Sequence, residues 1–139
     1  MSFRYLGLML LLVAVIFSSA VPPAQADLSD VCTLLDGASI ITQDSENEFL
    51  GKIASSFDSK SIFNDYGTYG NDFSSKSIWN EYSKYGNEFN SYSPFNEFSS
   101  HPPMLIKKGD IIGYLSTNKA IKGSISPKLL KALCEDVFK

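Results

Sequence analysis

The stretch SIWNEYSKYGNEFNSYSPFNEF, residues 77–98, decides how this chain is organised, because it repeats most of the sequence before it. The preceding copy, residues 61–82, reads SIFNDYGTYGNDFSSKSIWNEY and is displaced by sixteen positions. Both copies carry an aromatic residue, Asn, an acid and a second aromatic residue in that order. A fixed repeat step is typical of domains built from stacked units whose terminal copies differ from the interior ones. We therefore predict a repeat-containing domain, with the repeats at about residues 49–103.

Each unit contains two local patterns. In residues 57–63, aromatic and Ser residues alternate with polar neighbours, which is the period-two pattern of a strand. Gly and Asn residues then predict turns, in which Asn side chains satisfy backbone groups. The Asn position of the three units is occupied by Asn64, Asn80 and Asn96.

Aromatic residues far outnumber aliphatic ones within the repeat, so the sequence predicts a core made of rings. One such ring begins each unit: Phe57, Phe73 and Phe89. We expect these three rings to meet inside a stacked scaffold.

The flanks predict ordinary helices and strands. A helix over residues 28–35 is expected to end at Gly37, and Ser126-Pro127 marks the start of a C-terminal helix. The segments that predict strands are residues 38–42, 48–54, 104–107 and 110–115. The predicted fold is mainly β (α+β): a small aromatic-rich domain of short strands and turns with a sixteen-residue period, capped by one helix at each end.

Residues 1–26 predict a secretory signal peptide, because one Arg precedes an apolar core and a small-residue cleavage pattern. The core is shorter than the roughly 20 apolar residues of a membrane span. We expect cleavage to leave residues 27–139 as one secreted or periplasmic domain without a membrane span. Cys32 and Cys134 then predict a disulfide, and the open alternative is two buried free thiols.

Charge and motifs exclude several functions. The formal net charge is −3, which argues against a nucleic-acid partner because phosphate binding needs clustered Lys and Arg. The single histidine, His101, lies beside Pro102 without a G-x-S-x-G motif, so it is interpreted as a turn residue. We predict no catalytic residue, no metal site and no cofactor.

Recurring acids leave two alternatives open, and both depend on the same residues. Paired carboxylates would suit a glycoside-type hydrolase, although a catalytic pair is needed only once. Calcium would need oxygen ligands, but the spacing of known calcium loops is absent. The acids are Asp65, Asp72, Glu81, Glu88 and Glu97.

The most specific binding hypothesis is a polysaccharide or cell-envelope surface held by exposed rings. A sugar ring stacks on an aromatic face while amides and carboxylates bind its hydroxyls. The candidate residues are Trp79, Tyr82, Tyr85, Tyr92 and Asn80. A further alternative is a grid of serine hydroxyls that orders water, built from Ser59, Ser61, Ser75, Ser77, Ser91 and Ser93.

The string YGNDFSSKSIWNEYSKYGNEF, with SPFNEF and Pro-Pro after it, resembles a family of short uncharacterised bacterial proteins. Their repeats read roughly Y-G-S-x-Y-S-x-x-S-I-x-N-x-Y-G, and this chain has Asn71 and Asn87 in place of the usual serine. FLGKI and GYLSTN, on either side of the repeats, are also similar to that family. The resemblance implies a reused module and carries no activity. The expected function is non-catalytic binding or structural work outside the cytoplasm.

Overall fold

The computed structural model describes residues 30–139, and the predicted signal peptide lies outside them. The described part contains two short helices and five strands. In chain order these are α1 (residues 30–35), β1 (Ser39–Ile41), β2 (Phe49–Lys52), β3 (Met104–Lys107), β4 (Asp110–Leu115), β5 (Ser124–Ile125) and α2 (Pro127–Cys134).

The strands form one mixed sheet in the order β2-β1-β3-β4-β5. All neighbours pair antiparallel except β4 and β5, which are parallel. The β3–β4 hairpin turns at Lys108 and Gly109, whose φ angles are 53° and 83°. The prediction of an α+β fold with flanking strands and helices is therefore confirmed.

Helix α2 begins where the sequence predicts. The Ser126 side chain accepts a hydrogen bond from the Leu129 backbone N–H, and Pro127 occupies the first turn. Its buried face includes Leu130 and Cys134, whereas Leu129 remains 51% exposed. The buried apolar face of α2 is therefore narrow.

A disulfide between Cys32 and Cys134 joins α1 to α2, with 5.5 Å between the Cα atoms. This confirms the predicted pairing. The bridge closes a loop with a sequence separation of 102 residues, so it constrains the unfolded chain strongly. In the chain-entropy view such a loop is worth roughly 4–5 kcal/mol.

The repeat segment between β2 and β3 is a run of consecutive turns, and the prediction of short strands there is wrong. A backbone N–H bonds to the carbonyl three residues earlier again and again, as in Ser77 to Ser74 and Asn80 to Ser77. One isolated bridge, Lys52 to Ser61, links the segment to β2. The sixteen-residue unit consists of four steps of three residues and one step of four.

Short polar side chains explain these turns. The Asn80 Oδ1 atom accepts from the Tyr82 N–H at 3.0 Å, and the Ser77 Oγ atom accepts from the Trp79 N–H at 3.2 Å. Such local bonds offer the backbone an alternative to a sheet ladder. The same role holds for Asn64 and Asn96, which confirms the prediction that these amides serve the turns.

The step of four residues requires glycine. The Asn87 N–H bonds to the Ser83 carbonyl across this step. A Cβ atom added at Gly86 would lie 1.9 Å from the Asn80 carbonyl oxygen, and one at Gly70 would lie 2.1 Å from the Asn64 carbonyl oxygen. Only glycine lets the backbone approach itself this closely.

The predicted core of rings is also wrong for the residue that begins each unit. Phe57, Phe73 and Phe89 are 88%, 92% and 84% exposed. The predicted strand alternated every two residues and would have buried these rings. The turns instead repeat every three residues, and the rings remain exposed. The positions that the repeat buries against the rest of the domain include Ile62, Ile78 and Pro94.

The buried serines also change an expectation. Ser61, Ser77 and Ser93 are buried, and the Ser61 and Ser93 hydroxyls donate to the backbone carbonyls of Ala54 and Tyr85. These hydroxyls therefore serve the turns, and the alternative of a water-ordering grid is wrong at these three positions. Within residues 30–139, no helix is long and apolar enough to cross a membrane.

Candidate ligand-binding groove

Six aromatic side chains on the turns of the repeat are exposed to solvent. In each case the backbone N–H of the ring residue bonds to the Ser or Asn side chain two positions earlier, as in Phe73 to Asn71 and Phe89 to Asn87. Because the turn fixes the backbone, the ring is presented from a rigid support. The rings, each at least 84% exposed, are Phe57, Tyr66, Phe73, Tyr82, Phe89 and Phe98.

Four of these rings line three adjoining pockets, which we call the aromatic groove. The first pocket, of about 590 Å³, lies between Phe73 and Tyr82. The middle pocket, of about 580 Å³, lies between Tyr82 and Phe89. The last pocket, of about 520 Å³, lies between Phe89 and Phe98. Since neighbouring pockets share a ring, the groove is continuous.

Two half-buried rings, Trp79 and Phe95, form the floor of the groove. Their centroids are 6.2 Å apart in an edge-to-face arrangement. The Trp79 indole N–H donates to the Ile62 carbonyl at 2.6 Å, which fixes the ring. The Lys131 ammonium of α2 lies 4.8 Å from the Trp79 ring centroid. The floor is therefore aromatic and rigid, and one edge of the groove is formed by α2.

The first and last pockets have largely corresponding linings, although Thr117 lines only the last. Six residues of the first pocket have a counterpart sixteen positions later in the last one, so that the linings match in type as well as in place. The pairs are Asp72 and Glu88, Phe73 and Phe89, Trp79 and Phe95, Asn80 and Asn96, Glu81 and Glu97, and Tyr82 and Phe98. Helix α2 adds Lys131 to the first and Lys128 to the last. The repeat thus produces two similar pockets.

The groove carries more acid than base. Its four carboxylates have no salt-bridge or hydrogen-bond partner among residues 30–139, and they face only two lysines. These carboxylates are Asp72, Glu81, Glu88 and Glu97. Their oxygens are free to accept hydrogen bonds from a ligand.

The structure separates the predicted binding residues. Trp79 and Tyr82 lie in the groove, and Asn80 lines its first pocket. The Asn80 amide is already committed, because its Nδ2 donates to the Ser74 carbonyl at 3.0 Å. Tyr92 is half-buried with its ring 6.5 Å from that of His101. Tyr92 therefore lies outside the three pockets, and Asn80 contributes mainly to the turn.

Tyr85 is buried and belongs to a structural cluster instead. Its hydroxyl donates to the Asp44 carboxylate, which also accepts from the Thr42 hydroxyl at 2.7 Å. Burial raises the pKa of Tyr85 to about 12, and the bond to Asp44 acts in the same direction. Burial would raise the pKa of Asp44, but the hydrogen bonds from Tyr85 and Thr42 together bring it below its usual value. Tyr85 therefore does not line the groove, and its ligand role stays a prediction.

The equivalent position in the first repeat unit is closed by the chain itself. Phe63, the counterpart of Trp79 and Phe95, stacks on Phe138 with centroids 5.6 Å apart and an interplanar angle of 19°. The Phe138 carbonyl accepts from the Ser56 N–H at 2.7 Å. We call the repeat units that contain Trp79 and Phe95 the groove units. The C-terminal segment thus runs along the repeat, with Lys128 and Lys131 beside the two groove units and Phe138 beside the first unit.

Residues that line the groove but escaped the sequence analysis are Phe73, Phe89, Phe95, Phe98, Lys128 and Lys131. A signal for the first four exists: a Ser, Asn, Asp or Gly recurs at almost every third position from Ser55 to Ser99. Side chains of this kind close turns on their own backbone. The contribution of α2 has no such signal, since it comes from a distant part of the chain.

His101 is exposed, and its Nδ1 lies 2.9 Å from the neighbouring Ser100 hydroxyl. No group of three or more His, Cys, Asp and Glu side chains within the described part of the chain could hold a metal ion. No protein-family model, curated protein or solved structure matches the chain. The resemblance to the bacterial repeat family therefore stays a prediction.

Proposed function

We propose that this protein is a non-catalytic binding protein whose aromatic groove holds an elongated polysaccharide. The observation that carries the proposal is the match between the first and last pockets at a step of sixteen residues. Two positions with aromatic rings, acids and an amide at corresponding places suit a ligand that presents the same chemical group twice. A polymer with a regular repeat has this property.

The side chains of the groove suit sugars. The apolar face of a pyranose ring can stack on an aromatic ring, and its hydroxyls donate hydrogen bonds to carboxylates. The groove offers both, through rings such as Tyr82 and Phe89 and through free carboxylates such as Glu81 and Glu97. The excess of acid disfavours polyanions, including nucleic acids and acidic polysaccharides.

A binding role fits the carboxylates better than hydrolysis does. A glycosidase needs one acid and one base in surroundings that differ enough to separate their roles. Here the repeat gives Glu81 and Glu97 equivalent positions, and the same holds for Asp72 and Glu88. Duplicated acids in matching pockets support repeated recognition of one unit.

The disulfide supports a location outside the cytoplasm. Disulfides such as Cys32–Cys134 persist in oxidising compartments, and thiols are kept reduced in the cytosol of most cells. With the predicted signal peptide, this favours work at the cell envelope or in the surrounding medium, where polysaccharides are abundant.

The single tryptophan gives a direct test, because Trp79 is the only such residue in the chain and forms part of the groove floor. Neutral hexasaccharides and a polyanion of similar length are titrated while Trp79 fluorescence is recorded. We expect a saturable change for at least one neutral hexasaccharide and none for the polyanion. Binding of the polyanion alone, or a panel without any response, would contradict the proposal.

Three exposed rings supply matched variants. Tyr82→Ala and Phe89→Ala remove the rings shared by neighbouring pockets, so each should weaken binding about fivefold, since ring stacking is worth roughly 1 kcal/mol. Phe57→Ala is the control, because Phe57 begins its own repeat unit as Phe89 does, is equally exposed, and does not line the groove. Equal losses in all three variants would argue against a groove-specific effect.

A further inference from the structure

Phe138 occupies in the first repeat unit the place that is open in the two groove units. Its ring stacks on Phe63, which corresponds to Trp79 and Phe95 in the groove floor. Its carbonyl oxygen accepts the Ser56 backbone N–H at 2.7 Å. Phe138 therefore makes two contacts with the first unit: its ring stacks on the Phe63 ring, and its backbone carbonyl accepts the Ser56 N–H.

The same N–H is present and free in the groove. Ser56 corresponds to Asp72 and Glu88, which line the first and last pockets. Within residues 30–139, the N–H groups of Asp72 and Glu88 have no hydrogen-bond acceptor. Each groove unit thus offers a floor ring and a free backbone N–H. In the first unit, the corresponding ring and N–H are both occupied by Phe138.

We infer that the polysaccharide of the proposed function is N-acetylated, and that its acetamido carbonyls accept hydrogen bonds from the Asp72 and Glu88 backbone N–H groups. An acetamido group carries the same amide carbonyl that Phe138 presents to Ser56. The sugar ring that bears it takes the place of the Phe138 ring, stacked on Trp79 or Phe95. This inference rests on the proposed function and names the polymer class.

An aromatic peptide is the competing ligand, since Phe138 is itself part of a peptide. The carboxylates favour the glycan. Each groove unit adds two of them to the floor ring and the free N–H, and they have no partner among the described residues. A peptide stacked like Phe138 offers few donors beyond its backbone, whereas each sugar unit carries several hydroxyls.

Lys131 is compatible with this arrangement. Its ammonium lies 4.8 Å from the centroid of the Trp79 ring, where a stacked sugar ring would also lie. Lysine side chains are flexible, and a cation–π contact at a partly exposed site is weak. Displacement of Lys131 by the ligand therefore costs little.

The decisive experiment compares two β-linked hexasaccharides of equal length by Trp79 fluorescence and calorimetry, using the protein with its disulfide intact. The units are N-acetylglucosamine and glucose, which are both uncharged, so that the acidic groove does not favour either by charge. We expect the N-acetylated hexamer to bind about 30-fold more tightly than the glucose hexamer, because two hydrogen bonds worth about 1 kcal/mol each are gained at matching sites. A glucose hexamer that binds equally well would overturn the inference and leave the proposed function standing.

Proline variants test the N–H groups themselves. Asp72 and Glu88 are the second residues of turns closed by Ser74-to-Asn71 and Asn90-to-Asn87 bonds. Pro94 already occupies that place in the turn closed by Asn96 and Ser93, so proline is tolerated there.

The double variant Asp72→Pro/Glu88→Pro removes both N–H groups, and the matched variant Asp72→Asn/Glu88→Gln removes the charges only. We expect the preference for the N-acetylated hexamer to vanish in the proline variant and to persist in the amide variant. Unchanged circular dichroism and thermal midpoint show that both variants are folded. A preference that survives the proline changes would overturn the assignment of the N–H groups.

A peptide with regularly spaced phenylalanines serves as the last ligand. If it binds and no hexasaccharide does, both the inference and the proposed function are wrong. If the N-acetylated hexamer binds and the peptide does not, the competing peptide ligand is excluded.

Discussion

Replacing Asn80 with alanine tests the physical basis of the repeat, which is a turn closed by a side chain at every step. The Asn80 side chain makes two hydrogen bonds of 3.0 Å, accepting from the Tyr82 N–H and donating to the Ser74 carbonyl. Each bond between neutral groups contributes about 1 kcal/mol net. Asn80→Ala should therefore lower the free energy of unfolding by about 2 kcal/mol.

A second variant tests whether a serine turn can replace the asparagine turn. Asn80→Ser keeps a short acceptor for the Tyr82 N–H, as Ser77 does for Trp79, and its hydroxyl can donate to the Ser74 carbonyl as the Ser83 hydroxyl donates to the Ser77 carbonyl. It should cost about 1 kcal/mol or less, at most half of the alanine effect.

The assay is urea unfolding at neutral pH, followed by far-ultraviolet circular dichroism and by Trp79 fluorescence. The m-value should not change, because the surface exposed on unfolding is nearly the same. Ser75→Ala is the control, since Ser75 is exposed in the same repeat unit and its hydroxyl has no hydrogen-bond partner among the described residues. Surface changes of this kind stay within about 0.5 kcal/mol.

The reasoning fails if Asn80→Ala is as stable as Ser75→Ala. It also fails if Asn80→Ser costs as much as alanine, because the serine turns of the repeat would then not be interchangeable with the asparagine turns.

Three further predictions concern the step of four residues, the disulfide and the buried tyrosine. Gly86→Ala should destabilise the fold by about 2 kcal/mol or more, because its Cβ would lie 1.9 Å from a backbone carbonyl oxygen; a loss below about 0.5 kcal/mol in urea unfolding would contradict this. Cys32→Ser/Cys134→Ser should lower the free energy of unfolding by roughly 4–5 kcal/mol, and unchanged stability under reducing conditions would show that the bridge does not constrain the chain. Tyr85 should make stability fall as pH rises from about 10 to about 12, because burial and the Asp44 carboxylate raise its pKa in the folded state only; Tyr85→Phe should lose this dependence, and a variant that keeps it would place the titrating group elsewhere.

Local signals in the flanks predicted four of the five described strands, and β5 was not predicted. The hairpin around Lys108-Gly109 and the Ser126-Pro127 helix start depend on a few neighbouring residues, and these determine the backbone almost alone. The Cys32–Cys134 bridge was predicted from an even cysteine count in a chain with a signal peptide.

The repeat shows where such reasoning fails. The sixteen-residue step was visible, and so was the turn role of Asn64, Asn80 and Asn96. The alternation in residues 57–63 was interpreted as a strand, although polar residues at every third position were closing turns. A period of two and a period of three place side chains on different faces of the chain. The strand interpretation therefore predicted a buried Phe57, whereas this side chain is exposed in the structure.

The sequence by itself determined the repeat step, the turn-forming asparagines and most of the flanking strands and helices, because each depends on residue type and short spacing. The disulfide pair followed from the presence of only two cysteines in the chain. Only the tertiary structure decided which rings are buried and which line a groove. That choice depends on how the turns coil against the sheet and on where α2 and Phe138 lie along them. These contacts join residues far apart in the chain, and spacing within the repeat carries no information about them.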